Sequence, residues 1–320
     1  MSADLRLAVI GAGAMGANHV RTLAGLEGAT PAYIVDADLT RAQALAETYG
    51  AKALGDIADL PPDVQGVVLA TTSVTHAALG QALLARGLPC LIEKPLAVTR
   101  AECDLLIATA DKAGVPVAVG HVERFNPAIQ KAAEVLKGQK VLMAEARRLN
   151  PGSARILDTD VVIDLMVHDL DAILYLTGAD PSAISARGLA RNKPGVADHA
   201  SAILDFGGGA IATVTASRMT QARVRELLIQ TENGLLTVNY LTQEVKANKA
   251  LLDGSTADGS DLTLDTVPVV QGHSLPHELG NFCAAIRTGK PEAVGVSPRE
   301  ALRALSTVWE IQRQLAASWA

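Results

Sequence analysis

The sequence predicts an α/β chain of two domains. A doubly wound parallel sheet is expected over residues 1–122, and an α+β domain with a mainly antiparallel sheet over 123–320. Three observations carry this prediction. Apolar strand candidates alternate with helical segments through residues 5–120, the order of successive βαβ units. From about Gly120 the alternation stops, and extended runs follow one another without helices between them. At 320 residues, the chain also has the length of two ordinary domains.

In the first half, strands are expected at 5–10, 32–35, 66–70, 89–92 and 115–119, with helices at 17–26, 40–49, 76–86 and 100–113. Leu7-Ala8-Val9-Ile10 is continuously apolar, as a strand buried on both faces reads. The second half opens with a helix at 126–137, an extended run at 140–149 and a loop at 150–154. A strongly apolar helix follows at 160–176. Extended runs then come at 184–189, 200–206, 210–217, 225–231 and 235–240. Gly207-Gly208-Gly209 and Glu232-Asn233-Gly234 read as hairpin connections. Residues 250–261 read as a loop, and helices return at 275–288 and 298–318, free to pack back on the first domain.

Composition narrows the function. Hydrophobic residues make up 49% and aromatics only 3%, so the cores must be aliphatic. The net charge of −6 leaves no basic excess to displace counterions, which argues against nucleic acid as a partner. The four residues before Leu5 are too few for a signal peptide, and no apolar run reaches membrane-spanning length. Three scattered cysteines, Cys90, Cys103 and Cys283, read as the reduced thiols of a cytoplasmic protein.

The organising motif is Gly11-x-Gly13-x-x-Gly16, between the first strand and the first helix. Gly11 permits a tight turn, Gly13 leaves backbone bare for a pyrophosphate, and Gly16 lets helix and strand approach. With Ala14 and Met15 between them, these residues offer helix N–H groups to phosphate. Asp36 ends the second strand, where a carboxylate accepts ribose hydroxyls and repels a 2′-phosphate. The expected cofactor is therefore NAD. Other chemistry-bearing residues also fall at strand ends: Thr71, Thr72 and Ser73 after the third strand, Glu93 and Lys94 after the fourth, and His121 after the fifth. His76 either lies near the cofactor or simply begins a helix.

Lys94 precedes Pro95, which restrains it toward extended geometry and aims it over the sheet edge. On the apolar helix DVVIDLMVHDLD, Asp160, Asp164, His168 and Asp171 share a face at α-helical spacing. His168 is placed to accept a proton and Asp164 to orient it. A polar stripe facing solvent is the alternative. A metal site is disfavoured, because no second histidine stands at ligand spacing. Arg124, beside His121 and Asn126 at the junction of the halves, suits an anionic or polyhydroxylated ligand, and among Arg147, Arg148, Arg155 and Arg218, around the loop before the apolar helix and at a strand end, some are expected to meet a phosphorylated substrate.

With these motifs placed, the chain resembles the Gfo/Idh/MocA oxidoreductase family over nearly its whole length. AVIGAGAMG, Asp36, ATTSVTH, EKPLA and DLMVHDLD carry the resemblance. It implies a Rossmann domain followed by a domain with a large open sheet, whose free face mediates homodimers or homotetramers. It implies Lys94, Asp164 and His168 as catalytic residues, and Gly11, Gly13, Gly16, Asp36, Glu93 and Lys94 as cofactor contacts. GHVERFNPA, the ASRMT…VREL run and NGLLTVNYLTQEV point to the sugar-nucleotide branch. Met166 departs from the family's commoner glycine. The activity implied is NAD-dependent oxidation of a secondary hydroxyl, at carbon 3 of a UDP-N-acetylhexosamine. A free-polyol dehydrogenase and a non-catalytic NAD-binding regulator are the alternatives.

Overall fold

A computed structural model describes residues 4–151, 159–255, 263–291 and 294–319. In chain order the first elements are β1 (Leu5–Ile10), α1 (Ala14–Ala24), β2 (Ala29–Val35), α2 (Leu39–Tyr49), β3 (Lys52–Leu54), β4 (Gly66–Leu69), α3 (Ser73–Ala85), β5 (Cys90–Glu93), α4 (Arg100–Ala113) and β6 (Val117–Gly120). Next come α5 (Pro127–Val135), β7 (Val141–Leu149), a π-helical turn (Val162–Met166) that runs into α6 (Val167–Thr177), then β8 (Ala183–Leu189), β9 (His199–Asp205) and β10 (Ile211–Ser217). The chain closes with β11 (Val224–Thr231), β12 (Gly234–Asn239), β13 (Glu244–Ala247), α7 (Lys249–Asp253), β14 (Asp265–Val267), α8 (Ser274–Thr288) and α9 (Pro298–Trp319).

These elements form two units. One comprises Met1–Val122 with His273–Leu302, the other Glu123–Gly272 with Arg303–Ala320. The first unit therefore takes in a C-terminal segment that a single boundary near residue 122 leaves out.

The first unit holds a six-stranded sheet in the order β3-β2-β1-β4-β5-β6. All of its pairings are parallel. Strand order reverses between β1 and β4, and in such sheets the crevice beyond the strand ends is where ligands bind. Helix ends follow local chemistry. Thr99 and Glu102 form a reciprocal capping box at the start of α4, and Gly114, at φ 64°, stops it. The core is aliphatic, as composition requires. Leu7, Val9, Val68 and Leu91 are fully buried against Val20 and Leu23 of α1 and Leu279 and Phe282 of α8. All three cysteines are free and buried. Burial pushes the Cys90 thiol up to about 12, so it serves as core filling. Strand β3 was not expected: three residues with an exposed Lys52 carry no readable period.

The second unit holds an eight-stranded sheet in the order β14-β13-β12-β11-β7-β10-β9-β8. Both expected hairpins are present, β9–β10 and β11–β12. One pairing, β10 with β7, is parallel, because the chain leaves through α6 before returning beside β7. Strands β13 and β14 extend the sheet beyond the expected edge, and 250–253 of the expected loop belong to α7; 256–261 of that loop lie outside the described residues. On the inner face, Ala144, Ala146, Ala212 and Ala216 are fully buried. Their small side chains let α6 settle on β7 and β10, with Met166, Leu170 and Ile173 filling the space. The outer face carries exposed Met143, Ile203 and Ile211. Among the described residues, no helix is long and apolar enough to cross a membrane.

One buried charge network ties α6 to the sheet. Arg148 of β7 is 1% exposed and binds both Asp169 oxygens, Nε at 2.8 Å and Nη2 at 3.0 Å. Its Nη1 reaches Glu123 at 2.9 Å, and its guanidinium lies 5.0 Å from the Tyr240 ring centre. Burial opposes the charge, but Asp169 and Glu123 outweigh it and raise the Arg148 pKa. Removing one member of such a pair strands the other in the core. Asp169→Ala should therefore cost roughly 3–5 kcal/mol in urea unfolding. Lys140→Ala, at an exposed pair with Glu232, should stay within about 0.5 kcal/mol.

Candidate active site

The dinucleotide side of the site is built at the strand-order reversal. A cavity of about 630 Å³ there is lined by Gly11, Gly13, Ala14, Met15, Asp36, Thr71 and Thr72, all expected from the sequence. Arg41, Thr75 and Leu79 join them unforeseen, since no motif spacing marks them. Gly11 has φ +97°, and a Cβ on it would stand 2.5 Å from the Ala70 carbonyl oxygen. A Cβ on Gly16 would stand 1.7 Å from the Gly11 oxygen, so only glycine lets α1 start directly on the turn. Gly16 thus shapes the cavity without lining it. Nothing lies within 4 Å of a Cβ built on Gly13, which leaves open backbone facing the cavity. Helix α1 begins with no side-chain cap and no acid in its first turn. Its N-terminal N–H groups and partial positive charge are therefore available to a pyrophosphate. Asp36 accepts the Ala12 N–H at 2.7 Å and the Asp38 N–H at 2.9 Å. Each oxygen keeps lone-pair capacity for a ribose hydroxyl. These residues fit NAD.

The neighbouring strand ends carry Glu93 and Lys94. Lys94 is half-buried, and its peptide bond to Pro95 is cis. Glu93 is 8% exposed; one oxygen meets His19 Nε2 at 2.7 Å and the other accepts the Lys94 N–H at 3.1 Å. His76, 1% exposed, lies on neither the cavity lining nor the surface. Its Nδ1 bonds the Pro95 carbonyl at 2.8 Å and its Nε2 approaches the Thr71 carbonyl at 3.3 Å. It thus ties the turn after β5 to the end of β4. Ser73 opens α3, and His121 is buried after β6.

In the second unit, Asp164 sits inside the π-helical turn and His168 in the first turn of α6. Both are half-buried. Wider π-helical turns commonly mark functional sites, and here the irregularity falls where Asp164 stands, just before the helix that carries His168. The four-residue face expected from α-helical spacing does not hold. Asp160 caps the turn instead, accepting the Val162 N–H at 2.8 Å and the Ile163 N–H at 3.2 Å, with Gln312 Nε2 at 2.7 Å. Asp171 is 1% exposed and grips Arg124 in two bonds, at 2.7 and 2.9 Å. The Arg124 guanidinium also lies 4.4 Å from the Tyr175 ring centre, which makes it a tie between the segment after β6 and α6. Asn126, expected at the substrate, is 4% exposed, caps α5 through the Ala128 N–H and donates to Glu123 and the Tyr240 carbonyl. Arg155 lies outside the described residues. Among those described, no group of three or more His, Cys, Asp and Glu side chains is arranged to hold a metal ion.

Comparison with known proteins agrees with this geometry. Residues 5–121 match the oxidoreductase family with an NAD-binding Rossmann fold, and residues 140–237 match the Gfo/Idh/MocA C-terminal domain. The UDP-N-acetylglucosamine 3-dehydrogenase of Acidithiobacillus ferrooxidans is 32% identical over 302 residues, covering 94% of this chain and 95% of that one. Its solved structure superposes with a TM-score of 0.91 at 28% identity, covering both chains completely. The inositol 2-dehydrogenase of Arthrobacter sp. (strain FB24) is 34% identical over 58% of either chain. A levoglucosan dehydrogenase solved with NADH and levoglucosan shares the fold, with a TM-score of 0.87 at 21% identity. With its glycine turn, its Glu93-Lys94-Pro95 turn and its Asp164–His168 helix, this chain belongs to the Gfo/Idh/MocA family of NAD-dependent oxidoreductases.

Proposed function

We propose that this protein oxidises a secondary hydroxyl of a nucleotide-linked sugar, at carbon 3 of a UDP-N-acetylhexosamine. The observation that carries this reading is the extent of likeness. The UDP-N-acetylglucosamine 3-dehydrogenase matches both units, whereas the inositol dehydrogenase matches little more than half of the chain. When bound, NAD supplies the acceptor for the hydride that leaves the carbinol carbon. His168 takes the hydroxyl proton, so the alcohol loses two electrons and two hydrogens and becomes a ketone. Asp164 steadies the imidazole and the charge it gains. Lys94 holds the reacting oxygen and favours negative charge developing on it. Reacting carbons held about 3–3.5 Å apart supply much of the acceleration. Asp36 accepts the ribose hydroxyls and excludes a 2′-phosphate.

A free-polyol dehydrogenase is the second reading, favoured by the inositol-dehydrogenase relatives. The outer sheet face, with Met143 and Ile211 paired across β7 and β10 and Ile203 nearby, joins copies of the chain into a homodimer or homotetramer. The three free, buried cysteines fit a cytoplasmic setting.

Lys94→Ala and His168→Ala should each lose roughly 10²-fold or more in kcat at saturating NAD, read as reduced nicotinamide formed from UDP-N-acetylglucosamine, and His168→Ala should keep NAD affinity. Unchanged turnover in either variant refutes the assigned roles, and faster turnover of free inositol than of the UDP-sugar favours the second reading. Asp36→Ala should narrow the gap between NAD and NADP affinities, measured by calorimetry; equal wild-type affinities would remove the role given to Asp36. Ile203→Asp should reduce the mass measured by light scattering, whereas an unchanged mass places the interface elsewhere.

A further inference from the structure

Of the arginines that the sequence marks for a phosphorylated substrate, three have partners within the second unit. Arg147 bonds Glu226 at 2.7 Å. Arg148 is held by Asp169 and Glu123. Arg218, 6% exposed, bonds the Thr159 carbonyl and lies 4.0 Å from Asp198. Arg225 of β11, which no motif marks, differs from all three. It stands directly opposite Arg148 in the antiparallel pairing of β7 with β11. Both side chains therefore lie on the inner face of the sheet, the face that carries α6. The Arg225 side chain is 30% exposed, and its Nε is buried with no hydrogen-bond partner. The acid it approaches, Glu123, is 3.8 Å away. That acid already accepts from Arg148 at 2.9 Å and from Asn126 at 3.1 Å.

The surroundings call for an anion. Like charges directly opposite each other in a ladder repel. Burial first, then the charge of Arg148, lowers the Arg225 pKa. Arg223, two residues earlier and exposed, adds a further positive charge. Two residues beyond Arg148, diagonal to Arg225, Asn150 buries an Oδ1 that also has no partner. An unused guanidinium donor and an unused amide acceptor thus stand together at this end of the ladder. Leaving a buried donor unsatisfied costs roughly 1–3 kcal/mol, a cost that a ligand removes. The place is also close to the chemistry. Arg148, beside Arg225, grips Asp169, the residue after His168 on α6.

We propose that Arg225 holds the diphosphate of the nucleotide-sugar and so sets the preference for a nucleotide-linked sugar over a free one. The inference rests on the reading of the substrate as a nucleotide-sugar. A guanidinium presents its N–H groups as a planar fork that matches two phosphate oxygens. A free polyol brings no charge to answer the half-buried cation. Arg225 is thus a specificity-determining residue and takes no part in moving the proton or the hydride.

The test is calorimetry of the full chain with UDP and with uridine, in wild type, Arg225→Gln and Arg225→Met, together with turnover of UDP-N-acetylglucosamine. Each neutral variant should weaken UDP about 10- to 100-fold and leave uridine and NAD affinity unchanged. The loss in turnover should fall on KM rather than on kcat. Arg225→Met keeps the apolar stem and guards against a packing defect in Arg225→Gln. Arg225→Lys keeps the charge without the fork and should restore part of the UDP affinity. Added salt should weaken UDP more in wild type than in the neutral variants. UDP bound equally by wild type and the neutral variants overturns the proposal and leaves the substrate reading standing. A matching loss for uridine or NAD overturns it too, since that marks a structural role. Wild-type protein that binds no UDP yet oxidises a free polyol removes the substrate reading, and the proposal with it.

Discussion

The structure depends first on a close approach that any side chain would forbid. Helix α1 starts directly on the glycine turn because Gly16 brings no Cβ against the Gly11 carbonyl, and Gly11 brings none against Ala70. That contact fixes where the N–H groups of α1 point. It also brings the turn between β1 and α1 alongside the end of β4, and the cavity follows from the two together. Asp36 adds a second restraint by bonding the Ala12 N–H, so a residue that lines the cavity also holds the turn in shape.

The second unit is organised by buried charge instead. The helix that carries Asp164 and His168 must present polar groups although most of its neighbours are apolar. It is held by two arginine–carboxylate pairs, Arg148 with Asp169 and Arg124 with Asp171. Each pair uses two parallel bonds, which fix rotation as well as distance. Three charges of the GHVERFNP and DVVIDLMVHDLD stretches, Arg124, Asp169 and Asp171, therefore serve with Arg148 to place the helix, and Asp164 and His168 are left half-buried.

Much of this was legible in the chain. The βαβ order, the glycine turn, the Asp36 position and the Glu93-Lys94-Pro95 turn are local signals, and each falls where spacing and composition put it. Long apolar strands were found because burial on both faces leaves a continuous run. Strand β3 and the pair β13 and β14 were missed because they are short edge elements that borrow their order from neighbours. Arg124 and Asn126 were read as ligand-binding because an arginine and an amide look alike in sequence whether they face a substrate or a buried partner. Asp169 was passed over for the opposite reason: it lies off the helix face that α-helical spacing selects, and its partner stands 21 residues earlier on β7.

The sequence by itself determined the strand–turn–helix order, the need for glycine at the turn and the type of residue at each strand end. These follow from local sterics and hydrophobic period, which act between near neighbours. Only the tertiary structure decided which charges are paired. The partners of Glu93 are a histidine 74 residues earlier and the next backbone N–H. It also decided that the Asp164–His168 segment opens with a π-helical turn. Both outcomes rest on desolvation and on contacts between distant segments, and neither leaves a periodic trace along the chain.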